Sequence, residues 1–201
     1  MSRRVASKPQ RIDVHHHYFP ANFDKAKSNE KAGWRTPAEN LPWSPEISLK
    51  FMDAASIDVA ILSPPGHRLR LRVLAEIAYA FDELKADGIG LSSSYGEGKD
   101  ATYVGDDRYD AIWAELDKRK ATVFLHGAQT PSSTPHPHPF LGVPVVEVPN
   151  ETFKAAAHLV VTGRKRKYPN TRIILAHLGG STPFLAARVA VLSRQMGCSL
   201  R

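Results

Sequence analysis

Histidines cluster near the start of the chain, where residues 11–20 read RIDVHHHYFP. The apolar residues before them predict a short buried strand, and side chains alternate between the two faces of a strand. His15 and His17 therefore project from one face, and His16 projects from the other. Two imidazoles side by side at a strand end are suited to one divalent metal ion. We predict that His15 and His17 are metal ligands and that His16 faces a neighbouring element.

Two later histidines also follow predicted strands. His126 comes directly after residues 122–125, and His177 comes directly after residues 172–176. Beside His15 and His17, His126 is the candidate for a third metal ligand, which leaves positions for a carboxylate and a water or substrate. His177 is either a fourth ligand or a general acid/base, because imidazole exchanges protons near neutral pH. The neighbouring pair Gly179-Gly180 indicates a close approach of the backbone to a ligand or metal.

These histidines must be positioned by the elements that precede them. Buried strands are predicted over residues 11–15, 58–63, 89–92, 122–125 and 172–176, with a helix after each. Regular alternation is typical of a parallel sheet with helices outside it, and barrels of this kind hold their active sites at the carboxyl ends of the strands. We therefore expect an α/β fold, a (β/α)8 TIM barrel with about five or six of its eight strands. An open doubly wound sheet is the alternative, but its first turn is usually rich in glycine rather than histidine.

A helix is predicted before the fifth strand, with a polar cap and an apolar face. Asn150 is expected to cap it, and Phe153, Ala157 and Val160 are expected to form its apolar face. The basic run at residues 164–167 is expected to be its polar end, where cations suit the helix dipole.

Composition limits the classes of function. The chain has 201 residues, which suits one domain, and a formal net charge of +7. The basic clusters lack the interleaved aromatics that stack on bases, so nucleic acid is not an expected partner. No stretch is apolar enough to span a membrane, the first residues lack the core of a secretory signal, and the single cysteine fits a reducing compartment. We expect a cytoplasmic protein.

Two long loops hold further candidates. The loop at residues 18–45 contains Trp34 and Arg35, which suit an aromatic or anionic substrate, although a solvated loop is an equally good interpretation. The second loop contains His136 and His138 between prolines. Their spacing imitates a metal pair, but the prolines favour an extended exposed segment, so neither is predicted to be a ligand.

Three segments together resemble the amidohydrolase superfamily. They are DVHHHYFP at residues 13–20, His126, and ILAHLGG at residues 174–180. The likeness is to the decarboxylase branch, which includes aminocarboxymuconate-semialdehyde, γ-resorcylate and 6-methylsalicylate decarboxylases. Similarity to the last group is strongest and extends through residues 33–37, 63–66 and 151–180.

This resemblance implies an incomplete barrel of the metal-dependent hydrolase type and a non-oxidative decarboxylase. His15, His17 and His126 would bind one zinc or manganese ion, and His177 would act in catalysis. The substrate would be a small aromatic or unsaturated carboxylic acid, with no organic cofactor. Relatives in this branch often form homodimers.

The sequence also departs from the family pattern. The metal-binding aspartate of the eighth strand has no counterpart before the chain ends at Arg201, and a βα unit expected after about residue 66 is absent. Residues 1–201 are therefore expected to form one shortened barrel domain. Two alternatives stay open: a metal-dependent hydrolase such as a lactonase on the same scaffold, and a catalytically impaired truncated remnant.

Overall fold

The computed structural model describes residues 10–31, 36–63, 73–96, 100–128, 138 and 140–198. Its backbone divides into two compact units, residues 1–26 with 36–65 and residues 27–35 with 66–201. A short helix, α1 (Lys25–Lys31), lies at the point where the chain passes from one unit to the other. Among the described helices, none has the length and apolar character required to cross a membrane. The expected single barrel domain with an absent βα unit stays a prediction.

The first unit contains two parallel strands and the helix that connects them. Strand β1 (Ile12–His17) pairs with β2 (Val59–Ser63), and helix α2 (Pro45–Ala55) lies between them in the chain. The side chain of Ser44 caps α2 by accepting a hydrogen bond from the backbone N–H of Ile47. Proline suits the first turn of a helix because no backbone donor is needed there. This βαβ order confirms the predicted alternation for this part of the chain.

The apolar residues of these strands are less buried than expected. Ile12 is 53% exposed and Leu62 is 55% exposed, and Val59 and Ile61 are each more than a third exposed. The prediction of two fully buried strands is therefore wrong for these side chains. The physical reason is that the sheet of β1 and β2 has only two strands. A sheet this narrow offers little neighbouring surface against which both faces can be covered.

The second unit is built on a parallel sheet of three strands. Its order is β3 (Gly88–Ser92), β6 (Thr122–His126) and β7 (Arg172–Leu175), and the pairings place Ser92 opposite His126. The helices are α3 (Val73–Asp82), α4 (Asp110–Lys118), α5 (Glu147–Val161), α6 (Arg164–Lys167) and α7 (Thr182–Gln195). The strands and helices follow the predicted alternation closely because long periodic segments carry a strong sequence signal.

A small hairpin was absent from the predicted elements. Strand β4 (Ser94–Tyr95) pairs antiparallel with β5 (Thr102–Tyr103). Two residues are too few to show a period, so this pairing has no signature in the sequence. The core of the second unit gathers around the central strand, with Leu125, Val123, Leu116 and Trp113 among its most buried members.

The basic run at residues 164–167 does not form the polar end of the preceding helix. Gly163 takes a left-handed conformation with φ of 70° and separates α6 from α5. Arg164 is only 5% exposed; it donates to the carbonyl oxygen of Gly105 at 2.9 Å, to Asp110 at 2.5 Å and to Asp107. The prediction that this run is the polar end of the preceding helix is wrong, because Gly163 ends that helix and the planar guanidinium of Arg164 binds three acceptors within the fold.

We expect Arg164→Met to lower the free energy of unfolding by about 2 kcal/mol, because it removes charge-assisted hydrogen bonds and leaves the buried Gly105 carbonyl without its donor. Arg166→Met is the matched control, since Arg166 is exposed on the same short helix. Urea unfolding followed by circular dichroism measures both. Equal stability of the two variants would contradict the proposed anchoring role of Arg164.

Candidate active site

His15 and His17 project from the same side of β1, as the sequence predicts. Their Nε2 atoms are 3.0 Å apart, and the two rings meet edge to face with centroids 4.7 Å apart. Two nitrogen ligands of one tetrahedral zinc ion, each bonded at about 2.0–2.1 Å, lie roughly 3.3 Å from one another. The spacing of this pair therefore suits two neighbouring ligands of a single ion.

Asp13 organises the strand that carries this pair. One carboxylate oxygen accepts a hydrogen bond from the backbone N–H of His15 at 3.0 Å, where the register between β1 and β2 shifts. The other oxygen lies 3.0 Å from Nδ1 of His16. Burial raises the pKa of Asp13, but these two hydrogen bonds and the nearby imidazoles of His15 and His16 together hold the pKa below its ordinary value. An extra residue at such a bulge re-aims the side chains that follow it.

His16 faces away from this pair, as expected. Its Nδ1 approaches Asp13, and its Nε2 lies 3.0 Å from the hydroxyl oxygen of Ser48 on α2. Both ring nitrogens are thus engaged by the protein, and the side chain is 9% exposed. His16 links the strand to the helix packed behind it.

The imidazoles of His15 and His17 are neutral at physiological pH. Burial and the neighbouring His17 lower the pKa of His15 to about 4, and burial also lowers the pKa of His17. The Nδ1 of His17 lies 3.2 Å from the carbonyl oxygen of Ser63, which can only accept, so Nδ1 carries the proton and Nε2 carries the lone pair. A neutral imidazole with an unprotonated Nε2 is the form that binds a metal.

A second pair of histidines lies at the carboxyl end of the sheet in the second unit. His126 ends β6, and His177 lies two residues beyond the last residue of β7. Their ring centroids are 4.5 Å apart at an interplanar angle of 68°. The Nδ1 of His126 donates to the carbonyl oxygen of Gly127 at 2.8 Å, which again places the lone pair on Nε2. The structure therefore brings these two predicted residues together.

The turn that carries His177 has an unusual backbone. His177 and Leu178 have φ angles of 54° and 53°, in the left-handed region that side-chain-bearing residues rarely adopt. Such conformations cost about 1–3 kcal/mol each and persist where the surroundings enforce them. A hydrogen bond of 2.9 Å joins Nδ1 of His177 to the hydroxyl of Thr152, on α5.

Two glycines let the first turn of α5 pack directly against these strand ends. A Cβ at Gly127 would lie 2.0 Å from the carbonyl oxygen of Val148, and a Cβ at Gly180 would lie 2.0 Å from that of Pro149. Gly180 also has φ of 57° and ψ of −129°, which is accessible essentially to glycine alone. Gly180 thus makes a close backbone approach to α5. The expected approach of Gly179-Gly180 to a ligand or metal stays a prediction.

Helix α5 has buried polar residues that its apolar sequence pattern does not predict. The helix begins at Glu147 rather than after Asn150, and its buried residues include Glu151, Thr152, Ala155 and Leu159. Val160, predicted to be on the apolar face, is exposed. Glu151 accepts hydrogen bonds of 2.7 Å from the Tyr103 hydroxyl and from Lys154. Glu151 and Thr152 stand three to four residues before the buried Ala155, so helical spacing places them on the same face. A search for apolar residues alone does not find such polar positions.

Several candidates cannot be placed. Trp34, Arg35 and His136 lie outside the described residues. His138 is described and exposed.

Comparison with known proteins gives a family match and homologous sequences. Residues 68–196 match the family described as amidohydrolase. The chain is 31% identical over 227 residues to a 6-methylsalicylic acid decarboxylase of Aspergillus aculeatus, covering 90% of this chain and 67% of that protein. It is 32% identical over 240 residues to a decarboxylase of Penicillium terrestre, covering 93% of this chain and 69% of that protein. The chain thus spans about two thirds of the length of these relatives.

Solved structures with the same fold extend this match. A protein described as amidohydrolase II aligns with a TM-score of 0.75 at 21% identity, over 92% of this chain and 72% of its own. A dihydroxybenzoic acid decarboxylase from Polaromonas, solved with bound manganese and 2-nitroresorcinol, aligns with a TM-score of 0.70 at 17% identity, over 90% and 69%. The fold class is therefore that of an incomplete TIM barrel, as the sequence predicts.

We expect Gly180→Ala to lower the free energy of unfolding by more than about 2 kcal/mol, since a methyl group would collide with the Pro149 carbonyl in a backbone region closed to alanine. Gly163→Ala is the control: its φ of 70° is also positive, but nothing lies within 4 Å of an added Cβ. A loss of about 1 kcal/mol is expected there. Urea midpoints at unchanged slope measure both, and similar losses would contradict the tight packing at Gly180.

Proposed function

Because the chain belongs to the amidohydrolase family, we propose that it is a metal-dependent non-oxidative decarboxylase of a small aromatic carboxylic acid resembling 6-methylsalicylate. The observation that carries this proposal is the pair of neutral imidazoles, His15 and His17, whose Nε2 atoms are 3.0 Å apart on one strand. Its support outside the structure is the homology to fungal decarboxylases over most of the chain.

The proposed ligands of one divalent ion are His15, His17 and His126, each through Nε2. His17 and His126 have Nδ1 engaged by a backbone carbonyl, which favours this choice of nitrogen. Three imidazoles suit zinc, and manganese is the ion in the Polaromonas decarboxylase, so zinc and manganese are the two proposed ions. A bound divalent ion would supply a positive charge that orients the substrate carboxylate and its neighbouring oxygen.

His177 is the proposed catalytic residue. It would deliver a proton to the ring carbon that bears the carboxylate. The bond between that carbon and the carboxylate then breaks, carbon dioxide leaves, and the bonding electron pair restores the aromatic ring. The ring accepts the electrons, so no oxidant and no organic cofactor is part of the proposal. Trp34 and Arg35 remain the proposed substrate contacts, as an aromatic surface and a cation for the anionic substrate.

The remaining parts of the proposal concern the setting of the enzyme. We infer a cytoplasmic enzyme that binds a small carboxylate, has full-length relatives that form homodimers, and has no nucleic acid or membrane partner. The sequence supports this view through its single cysteine and through basic clusters without interleaved aromatics.

The proposal predicts metal-dependent release of carbon dioxide and 3-methylphenol when the chain, loaded with Zn²⁺ or Mn²⁺, is incubated with 6-methylsalicylate. We expect His15→Asn combined with His17→Asn to bind less than one ion per chain and to lose at least about 100-fold in rate, because direct ligands matter more than the residues that orient them. His138→Asn is the matched control, since His138 is exposed and unassigned to the site.

Metal analysis and product chromatography distinguish the outcomes. Metal uptake without carbon dioxide release would overturn the decarboxylase assignment and favour the impaired remnant. Hydrolysis of an aromatic lactone in place of decarboxylation would favour the hydrolase alternative. Equal metal content in wild type and the double variant would overturn the ligand assignment.

A further inference from the structure

The hydroxyl of Thr152 lies between two partners in the interior of the second unit. Its oxygen is 2.9 Å from Nδ1 of His177 and 3.2 Å from the carbonyl oxygen of Val148. The Thr152 side chain has no exposed surface, so water does not compete for the hydroxyl. The identity of the donor in each contact follows from the number of protons available.

A threonine hydroxyl has one proton to donate. The carbonyl of Val148 can only accept, so the Thr152 proton points to it, and the Thr152 oxygen must then accept from His177. The reverse arrangement would direct the Thr152 proton at His177 and leave two acceptor oxygens facing each other at 3.2 Å without a proton. Only a His177 ring protonated at Nδ1 satisfies both contacts.

The position of this hydroxyl is fixed by packing. A Cβ at Gly127 would lie 2.9 Å from the Thr152 oxygen and 2.0 Å from the Val148 carbonyl oxygen. Strand β6 and the first turn of α5 are thus in direct backbone contact. Thr152 presents its hydroxyl to the turn in which His177 takes its left-handed conformation.

We propose that Thr152 is a positioning residue that holds His177 in the tautomer with the proton on Nδ1 and the lone pair on Nε2. The catalytic consequence rests on the proposed function of His177, because Nε2 is then the nitrogen that takes a proton from solvent and passes it to the substrate. The tautomer itself does not depend on that function. In the other tautomer Nε2 already carries the single proton of a neutral ring, which is a far weaker acid than the imidazolium formed when a lone pair on Nε2 takes up a proton.

Nitrogen NMR of the histidine-labelled 201-residue chain tests the tautomer directly. The sample contains Zn²⁺, which is diamagnetic, and the spectrum of His177→Gln identifies the His177 signals. In wild type we expect the protonated nitrogen of His177 to be Nδ1. A proton on Nε2 would overturn the proposal whatever the activity of the chain, and this measurement needs no variant of Thr152 to fold.

Three variants then separate hydrogen bonding from packing. Thr152→Val keeps the shape and removes the hydroxyl, so we expect the Nε2–H tautomer to appear and kcat for 6-methylsalicylate to fall by about 10–100-fold at little change in KM. Thr152→Ser restores a hydroxyl and should return both the tautomer and most of the rate. Thr162→Val is the control. The Thr162 hydroxyl also donates to the backbone carbonyl four residues back, which is that of His158, and this bond does not involve His177.

The outcomes distinguish this inference from the proposed function. If wild type releases no carbon dioxide, the decarboxylase proposal fails, and the NMR result alone decides the role of Thr152. If Thr152→Val keeps the Nδ1–H tautomer, or if Thr152→Ser fails to restore the rate lost in Thr152→Val, the positioning role is wrong.

Discussion

The candidate site depends on one constraint, the hydrogen bonding of Nδ1 by the protein in the imidazoles of His17, His126 and His177. His17 and His126 give their Nδ1 protons to the carbonyl oxygens of Ser63 and Gly127. A neutral imidazole has one proton, so an acceptor at Nδ1 leaves the lone pair on Nε2. The acceptors are main-chain atoms at the strand ends, so the chemistry of the side chain is set by backbone geometry. Elements that shape this backbone therefore shape the site.

Close packing of α5 positions the backbone around His126 and His177 in the second unit. The first turn of α5 contacts the residues after β6 and β7 through Gly127 and Gly180, without side chains between. This proximity brings the Thr152 hydroxyl to His177 and accompanies a left-handed backbone at His177 and Leu178. Strain of this kind persists only where surrounding contacts outweigh it. The buried core around Leu125 and Trp113 supplies a rigid base for these contacts.

The first unit solves a similar problem with a carboxylate. The Asp13 carboxylate accepts a hydrogen bond from the backbone N–H of His15, where the strand register shifts. It also contacts the ring of His16, which in turn contacts α2. His16 is thereby turned away from the face that carries the proposed metal ligands His15 and His17. Its neighbours His15 and His17 stay neutral because burial lowers the pKa of each. Three consecutive histidines thus serve two different purposes.

The sequence by itself determined the order of strands and helices, the pairing of His15 with His17, and the positions of His126 and His177 at strand ends. These follow from local rules: a period of two in strands, a period near 3.6 in helices, and parallel pairing of strands separated by helices. Only the tertiary structure decided that Arg164 is buried, that Glu151 and Thr152 face inward, and that Gly180 packs against Pro149. Each of these depends on atoms far apart in the chain, such as Gly105 for Arg164 and His177 for Thr152. The type of a polar residue shows which hydrogen bonds it can make, but the sequence does not show which partner the fold places beside it. For these side chains the partner determines the role.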